Sequence, residues 1–240
     1  MPRDCFEAWI RKMHSLNTLQ ESEVAAIRSL PTRVAKLTTG TTIISEGQLI
    51  SECCLLLEGF ACRSKLTQDG GRQIVSFHMA GDMVDIQHLL FDKADHTVQT
   101  ISEATVVFFP MAHLRKLVDD NPGIAKALRR DCLVDASIFR EWVLNVGRRD
   151  AKSRVAHMLC EFAARREAAG LGGPERFDLP MTQEQIGDAT GLTSVHVNRM
   201  LRQLEEEGVF ERSGRNVRIS DWAQMKRVAQ FDDSYLHLAA

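Results

Sequence analysis

This 240-residue chain has no apolar run long enough to cross a bilayer as a helix, which excludes a helical membrane protein. Its N-terminus, MPRDCFEAWIRKMHSL, has no signal-peptide core, so the cytoplasm is the expected compartment. None of its six cysteines, at 5, 53, 54, 62, 132 and 160, forms a CxxC pair. That scatter argues against a zinc ribbon or a disulfide framework and predicts reduced, mostly packed thiols. Nor is there an excess of positive charge, since the formal net charge is −2. Any nucleic-acid surface must therefore be a local basic patch. What remains, 44% hydrophobic and 26% charged, is the composition of a globular protein long enough for two modest domains.

The most informative segment spans residues 182–209, TQEQIGDATGLTSVHVNRMLRQLEEEGV. Thr182 followed three residues later by Gln185 is a capping box. Ile186 and Ala189 share one face. Gly187 implies close approach by another helix, and Gly191 suits a left-handed turn. Thr193 or Ser194 can cap a second helix. There Val197, Leu201 and Leu204 recur at core spacing, leaving Ser194, Val195, Asn198, Arg199 and Arg202 outside. Two short helices joined by a glycine turn are a helix-turn-helix, whose second helix enters the DNA major groove. Arg199 is placed to grip guanine with two hydrogen bonds. Asn198 can reach a base edge or a phosphate. Downstream, VFERSGRNVRI alternates about Ser213-Gly214-Arg215-Asn216, predicting a hairpin wing with Arg212, Arg215 and Arg218. The expected DNA contacts are Thr182, Ser194, Val195, Asn198, Arg199, Arg202 and Arg215, provided that the acids at 205–207 point away.

Upstream the pattern changes. Residues 5–30 read as a short helical segment. Between 33 and 110, β-type runs (TTIISEG, CCLLLEGFACRSKL, QDGGRQIVSFHMAGD, HTVQTISEATVVFFP) alternate with glycines, which points to an antiparallel barrel or jelly roll. Gln68-Asp69-Gly70-Gly71 is a hairpin turn. Cys53 and Cys54 should face opposite sides of their strand. From Pro122 to Gly147 runs a long helix with two candidate seams. One passes through Leu128, Cys132, Asp135, Phe139, Trp142 and Val146, the other through Ala125, Cys132, Ala136, Phe139, Val143 and Val146. Leu128, Cys132, Phe139, Trp142, Val143 and Val146 are thus candidates for a dimer interface, with packing on the helix's own chain as the alternative. Gly147-Arg148-Arg149-Asp150 then reads as a helix break, with Asp150 capping the next helix. The expected fold is α+β: an N-terminal antiparallel, jelly-roll-like β-roll with a leading helix (1–120), a long dimerisation helix (121–147) and a C-terminal winged helix-turn-helix (148–240).

This order resembles the CRP/FNR superfamily of bacterial transcription regulators across nearly the whole chain. IGDATGLTSVHVNRMLRQLEEEGVF carries the resemblance most specifically. Ala80-Gly81-Asp82, DAKSRVA at 150–156, and the EGxxxxxxxxLLxG pattern from Glu46 to Gly59 support it. The resemblance implies a homodimer on a palindromic DNA site, contact with RNA polymerase, and a β-roll whose ligand state reaches the DNA through the long helix. It also implies where an effector pocket would lie. Counting from Gly81-Asp82, the ribose-binding glutamate of cyclic-AMP-binding members falls on Ile86 and their phosphate-binding Arg-Ser pair on His96-Thr97. Their adenine-contacting hydroxyl pair falls near Phe139-Arg140. At the phosphate position His96, neutral over much of the physiological range, is a poor substitute for the fixed cation that a cyclic phosphate needs, so cyclic AMP is not the expected effector. A lone Cys5 near the N-terminus argues against the four-cysteine iron–sulfur cluster of the oxygen sensors. Haem-bound members use an N-terminal proline and a histidine near the GD turn, which Pro2 and His88 match in type only. In the recognition helix, Arg199 matches the family's guanine reader. Val195 stands where many members carry glutamate, and can touch a thymine methyl instead. Two other functions stay open at this stage: a cupin-type metalloenzyme using His78, His88 and His96, and a regulatory module acting on another protein. The first is disfavoured by the lack of an HxH pair with a glutamate at ligand spacing; the second leaves the winged helix unexplained.

Overall fold

The computed structural model describes residues 5–238, so Pro2 lies outside the described residues. Two helices, α1 (Glu7–Leu16) and α2 (Glu21–Arg28), replace the single leading segment expected. Asn17 ends α1 in extended geometry. Gln20 starts α2 through a reciprocal capping box with Glu23.

Seven strands follow: β1 (Arg33–Leu37), β2 (Thr42–Ile44), β3 (Glu52–Glu58), β4 (Ala61–Leu66), β5 (Arg72–His78), β6 (Thr97–Thr100) and β7 (Ala104–Pro110). They form two antiparallel sheets, ordered β1-β7-β3 and β2-β6-β4-β5. Alternation along β3 builds two cores from one strand. Cys54 and Leu56 face the inter-sheet core with Ile44, Val98 and Val106. Cys53 and Leu55 face the other way, onto Trp9, Met13 and Phe109. The two adjacent thiols therefore lie on opposite faces, and both are buried.

Between the strands and the long helix lies α3 (Met111–Asp120), which was not expected. Its Met111, Leu114 and Leu117 repeat every three residues and fill the helical side of the core. The long helix α4 runs through Pro122–Arg148. Gly147 and Arg148 thus belong to the helix, and the break is confined to Arg149-Asp150. Gly147 alone does not stop a helix when the next cap sits three residues on: Asp150 accepts the Ser153 N–H at 3.0 Å and starts α5 (Ala151–Ala168).

Beyond α5 come β8 (Arg176–Asp178), α6 (Gln183–Thr190), α7 (Ser194–Glu206), β9 (Phe210–Ser213), β10 (Asn216–Ile219) and α8 (Trp222–Ala229). The wing is a three-stranded antiparallel sheet, β8-β10-β9, rather than a lone hairpin. β8 is only three residues long, too short to show a period.

The described residues divide into two compact units, 5–64 with 77–136, and 65–76 with 137–238. The first half of α4 belongs to the former and the second half to the latter. The turn between β4 and β5 groups with the second unit, where the Arg72 guanidinium pairs with Asp188 at 2.7 Å.

Candidate nucleic-acid interface

The helix-turn-helix assembles by short-range rules. Thr182 Oγ1 accepts the Gln185 N–H at 3.2 Å, and the Gln185 side chain accepts the Thr182 N–H at 2.9 Å. Gly191 ends α6 at φ +67°, which favours glycine. At Gly187 an added Cβ would stand 2.4 Å from the Leu192 carbonyl oxygen. The close neighbour that this glycine implies is the turn itself, not another helix. Of the two candidate caps for α7, Thr193 serves, accepting the His196 N–H at 3.2 Å.

Val197, Met200, Leu201 and Leu204 are buried and seat α7 on its unit. The opposite face presents Ser194, Val195, Arg199 and Arg202 to solvent, with Asn198 half-buried. Val195 is 79% exposed, so its methyls are open to a partner. Two contacts that were not foreseen hold this face in order. Arg199 donates to His196 Nε2 at 2.7 Å, and Asn198 donates to Gln183 Oε1 at 3.1 Å. Their signal was the three-residue spacing of His196 and Arg199, which places both on one helical face.

Two of the acids at 205–207 are engaged by bases, whereas Glu206 is exposed four residues after Arg202. Glu205 pairs with Arg212 at 3.3 Å, and Glu207 pairs with Lys152. Arg218 lies 3.6 Å from Glu211. Arg212 and Arg218 are thus partly neutralised, whereas Arg215 sits exposed in the two-residue wing turn beside Gly214. Thr182, at the exposed start of α6, adds a hydroxyl of the kind that meets phosphates. The arrangement is a helix edge with an exposed valine and two arginines, flanked by a wing arginine. It can recognise a polyanion with a methyl-bearing groove.

The scan against families supports the same reading. Residues 153–228 match the Crp-like helix-turn-helix domain, and residues 34–121 match the cyclic nucleotide-binding domain. The chain belongs to the CRP/FNR family. Relatives include the transcriptional activator protein FnrL of Cereibacter sphaeroides, 29% identical over 81% of this chain and 79% of FnrL. The nitrogen fixation regulation protein FixK of Bradyrhizobium diazoefficiens is 27% identical over 94% of this chain and 93% of FixK. The solved structure of FixK2 from Bradyrhizobium japonicum superposes with a TM-score of 0.76 at 25% identity, covering 83% of this chain and 98% of that one. These relatives are transcription regulators, and the CRP/FNR chain described here is a DNA-binding regulator rather than an enzyme.

The β-roll of this CRP/FNR member has an interior rich in ionisable groups. Arg63 on β4 is buried; it donates to Asp135 on α4 and to the Val84 carbonyl, each at 3.1 Å. Asp85 is fully buried and accepts the Cys54 N–H at 3.1 Å through Oδ2. Burial pushes its carboxyl up to about 7. His88 is buried 6.2 Å, ring to ring, from His96. Asp85 Oδ1 and both His88 ring nitrogens have no hydrogen-bond partner among the described residues. Burial, then the Arg63 charge, holds His96 down at about 4, so it is neutral. Its Nδ1 faces Asp95 at 2.6 Å and its Nε2 faces Gln87 at 3.1 Å. His78 lies near Asp82, which also receives Lys12 at 2.9 Å. Among the described residues no three His, Cys, Asp or Glu side chains group as metal ligands.

The residues expected to line an effector pocket have the following surroundings. Ile86 packs into the helical core with Phe6 and Trp9. Thr97 Oγ1 accepts the Glu46 N–H at 3.2 Å. Phe139 is half-buried on α4 and Arg140 is exposed. On the same helix Leu128 and Trp142 are buried within the chain, whereas Cys132, Val143 (74%) and Leu133 (68%) are exposed. Leu133 was not among the expected interface residues.

Proposed function

We propose that the chain works in the bacterial cytoplasm as a homodimer on a palindromic DNA site. In this reading, Arg199 holds a guanine and Val195 meets a thymine methyl, while Ser194 and Asn198 reach adjoining edges. Arg202, Arg215 and Thr182 bind phosphates. The observation that carries the reading is the exposed edge of α7. An apolar valine and two cations stand there with no carboxylate pairing either Arg199 or Arg202 among the described residues. RNA polymerase is the implied downstream partner, by family membership.

For dimerisation, the seam through Cys132, Ala136, Phe139, Val143 and Val146 is the better supported of the two. Leu128 and Trp142 have spent their apolar area inside the chain. We further propose a signal other than cyclic AMP. His96 is neutral, and Asp95 beside it would repel a phosphate.

Selection of genomic fragments by the purified protein tests the reading. The expected result is an inverted repeat containing a guanine step, with half-sites about one helical turn apart. Recovery of unrelated sequences, or of single half-sites, would refute it.

A further inference from the structure

A buried polar chain joins three segments of the second unit that are distant in sequence. Trp142, on the last turns of α4, donates its indole N–H to both oxygens of Glu161 at 3.0 Å. Tyr235 donates its hydroxyl hydrogen to Glu161 Oε2 at 2.8 Å. That hydroxyl has one hydrogen and has spent it on the carboxylate. His157 must therefore supply the hydrogen for its 3.1 Å contact to the Tyr235 oxygen, which places its proton on Nε2. Burial and the nearby Arg149 charge keep His157 down at about 3, so the ring is neutral. The order is His157 to Tyr235 to Glu161, with Trp142 closing from the other side.

The tyrosine arrives on a segment built to bring it there. Gln230 ends α8 in the left-handed region at φ +49°, uncommon for a residue with a side chain. The turn sends the chain back along α5. Phe231 packs edge-on against His157 at 5.3 Å, and Tyr235 stacks on the same ring at 6.0 Å. Arg149, the residue between α4 and α5, donates to the Gln230 carbonyl at 3.2 Å and pairs with Glu141. Residues 229–238 lie outside the 153–228 that match the helix-turn-helix family.

From this geometry we propose that the segment 230–236 is a strap across the α4–α5 elbow, and that Tyr235 is a positioning residue for DNA binding. It touches no DNA. It acts by tying the end of α4 to the first helix of the DNA-binding unit through Glu161. A loosened elbow samples more orientations, and apparent affinity falls by the fraction that remains competent.

The test uses the full chain with Tyr235→Phe, which keeps the ring and removes the hydroxyl, and Trp142→Phe as a second variant. Amide hydrogen exchange across residues 141–157 should quicken about tenfold in each, the scale of losing a buried hydrogen bond to a charged group. The double variant should add little, because both bonds end on one carboxylate. Amides of α7 and of β3 should keep their wild-type rates. Affinity for a selected DNA fragment should drop about three- to tenfold with unchanged base preference. Wild-type exchange at the elbow in Tyr235→Phe would overturn the proposal. So would acceleration spread evenly through α7, which would mark a merely structural tyrosine. The exchange readout needs no DNA, so it is independent of the operator reading.

Discussion

The edge of α7 and the interior of the β-roll both carry ionisable side chains, and they use them in opposite ways. On α7, Arg199 and Arg202 face solvent. They cost the fold almost nothing and remain available to a partner. In the β-roll, Arg63, Asp85, His88 and His96 are buried, and each is answerable to its neighbours. The buried ionisable groups tie the β-roll's stability to protonation. Substitutions should separate the two regions by what they damage: binding on one side, folding on the other.

The largest effect should come from the support beneath the exposed face. Gly187→Ala drives a methyl against a backbone carbonyl that cannot yield, and should cost about 3 kcal/mol in thermal unfolding of the C-terminal unit. Asp135→Ala, which strips a buried guanidinium of its carboxylate, should cost about 2 kcal/mol, less than for a fully buried pair because Asp135 is one-third exposed. Chemical denaturation would measure it; wild-type stability would mean that the other contacts of Arg63, the Val84 carbonyl among them, suffice to hold it. By contrast, Arg199→Ala should leave folding untouched and cost ~1–3 kcal/mol at the selected site. Equal loss on unrelated DNA would show that it touches only phosphate. Smallest is His196→Ala, which removes the ring that orients Arg199 and should cost about 0.5–1 kcal/mol in binding by fluorescence anisotropy.

Acidity offers a subtler probe of the β-roll. Asp85 has a folded value near 7 against 3.8 in the open chain, so the folded form keeps a proton that the unfolded form has released. Its contribution falls as pH climbs from about 4 to about 7. His96 runs the other way. It is neutral in the fold down to about 4 and charged in the unfolded chain below 6.5, so its contribution rises with pH over that window. The two slopes oppose each other between about 4 and 6.5. Relative to wild type, Asp85→Asn should make stability rise more steeply with pH there, and His96→Asn should make it rise less steeply. His78, His88 and His157 are also held neutral and keep a rising contribution in both variants. Parallel profiles in the two variants would refute the opposition.

The two regions also differed in how far the sequence announced them. The helix-turn-helix was legible because its determinants are local: Thr182 with Gln185, the turn at Gly191, the spacing of Val197, Leu201 and Leu204. The β-roll's strands were legible too, down to the opposed faces of Cys53 and Cys54. Its polar interior was not. Arg63 meets Asp135, and Lys12 meets Asp82 and Asp131, across separations that no periodicity encodes. Helix α3 was missed although its Met111, Leu114 and Leu117 carry helical spacing. The elbow strap was missed because a single tyrosine near residue 235 has no pattern around it. The bond from Trp142 on α4 to Glu161 was not legible either, because it crosses elements rather than following the helix period.

Cys132 has a practical consequence. Among the described cysteines it alone is exposed, and it stands on the better-supported seam. Partial shelter of the sulfur, with the adjacent Asp131 and Asp135, holds its thiol above the ordinary range, so it should alkylate slowly at neutral pH. The wild-type protein thus carries a native reporter of self-association. Its labelling rate should fall as protein concentration rises if copies pair along that stripe, and stay constant if they do not.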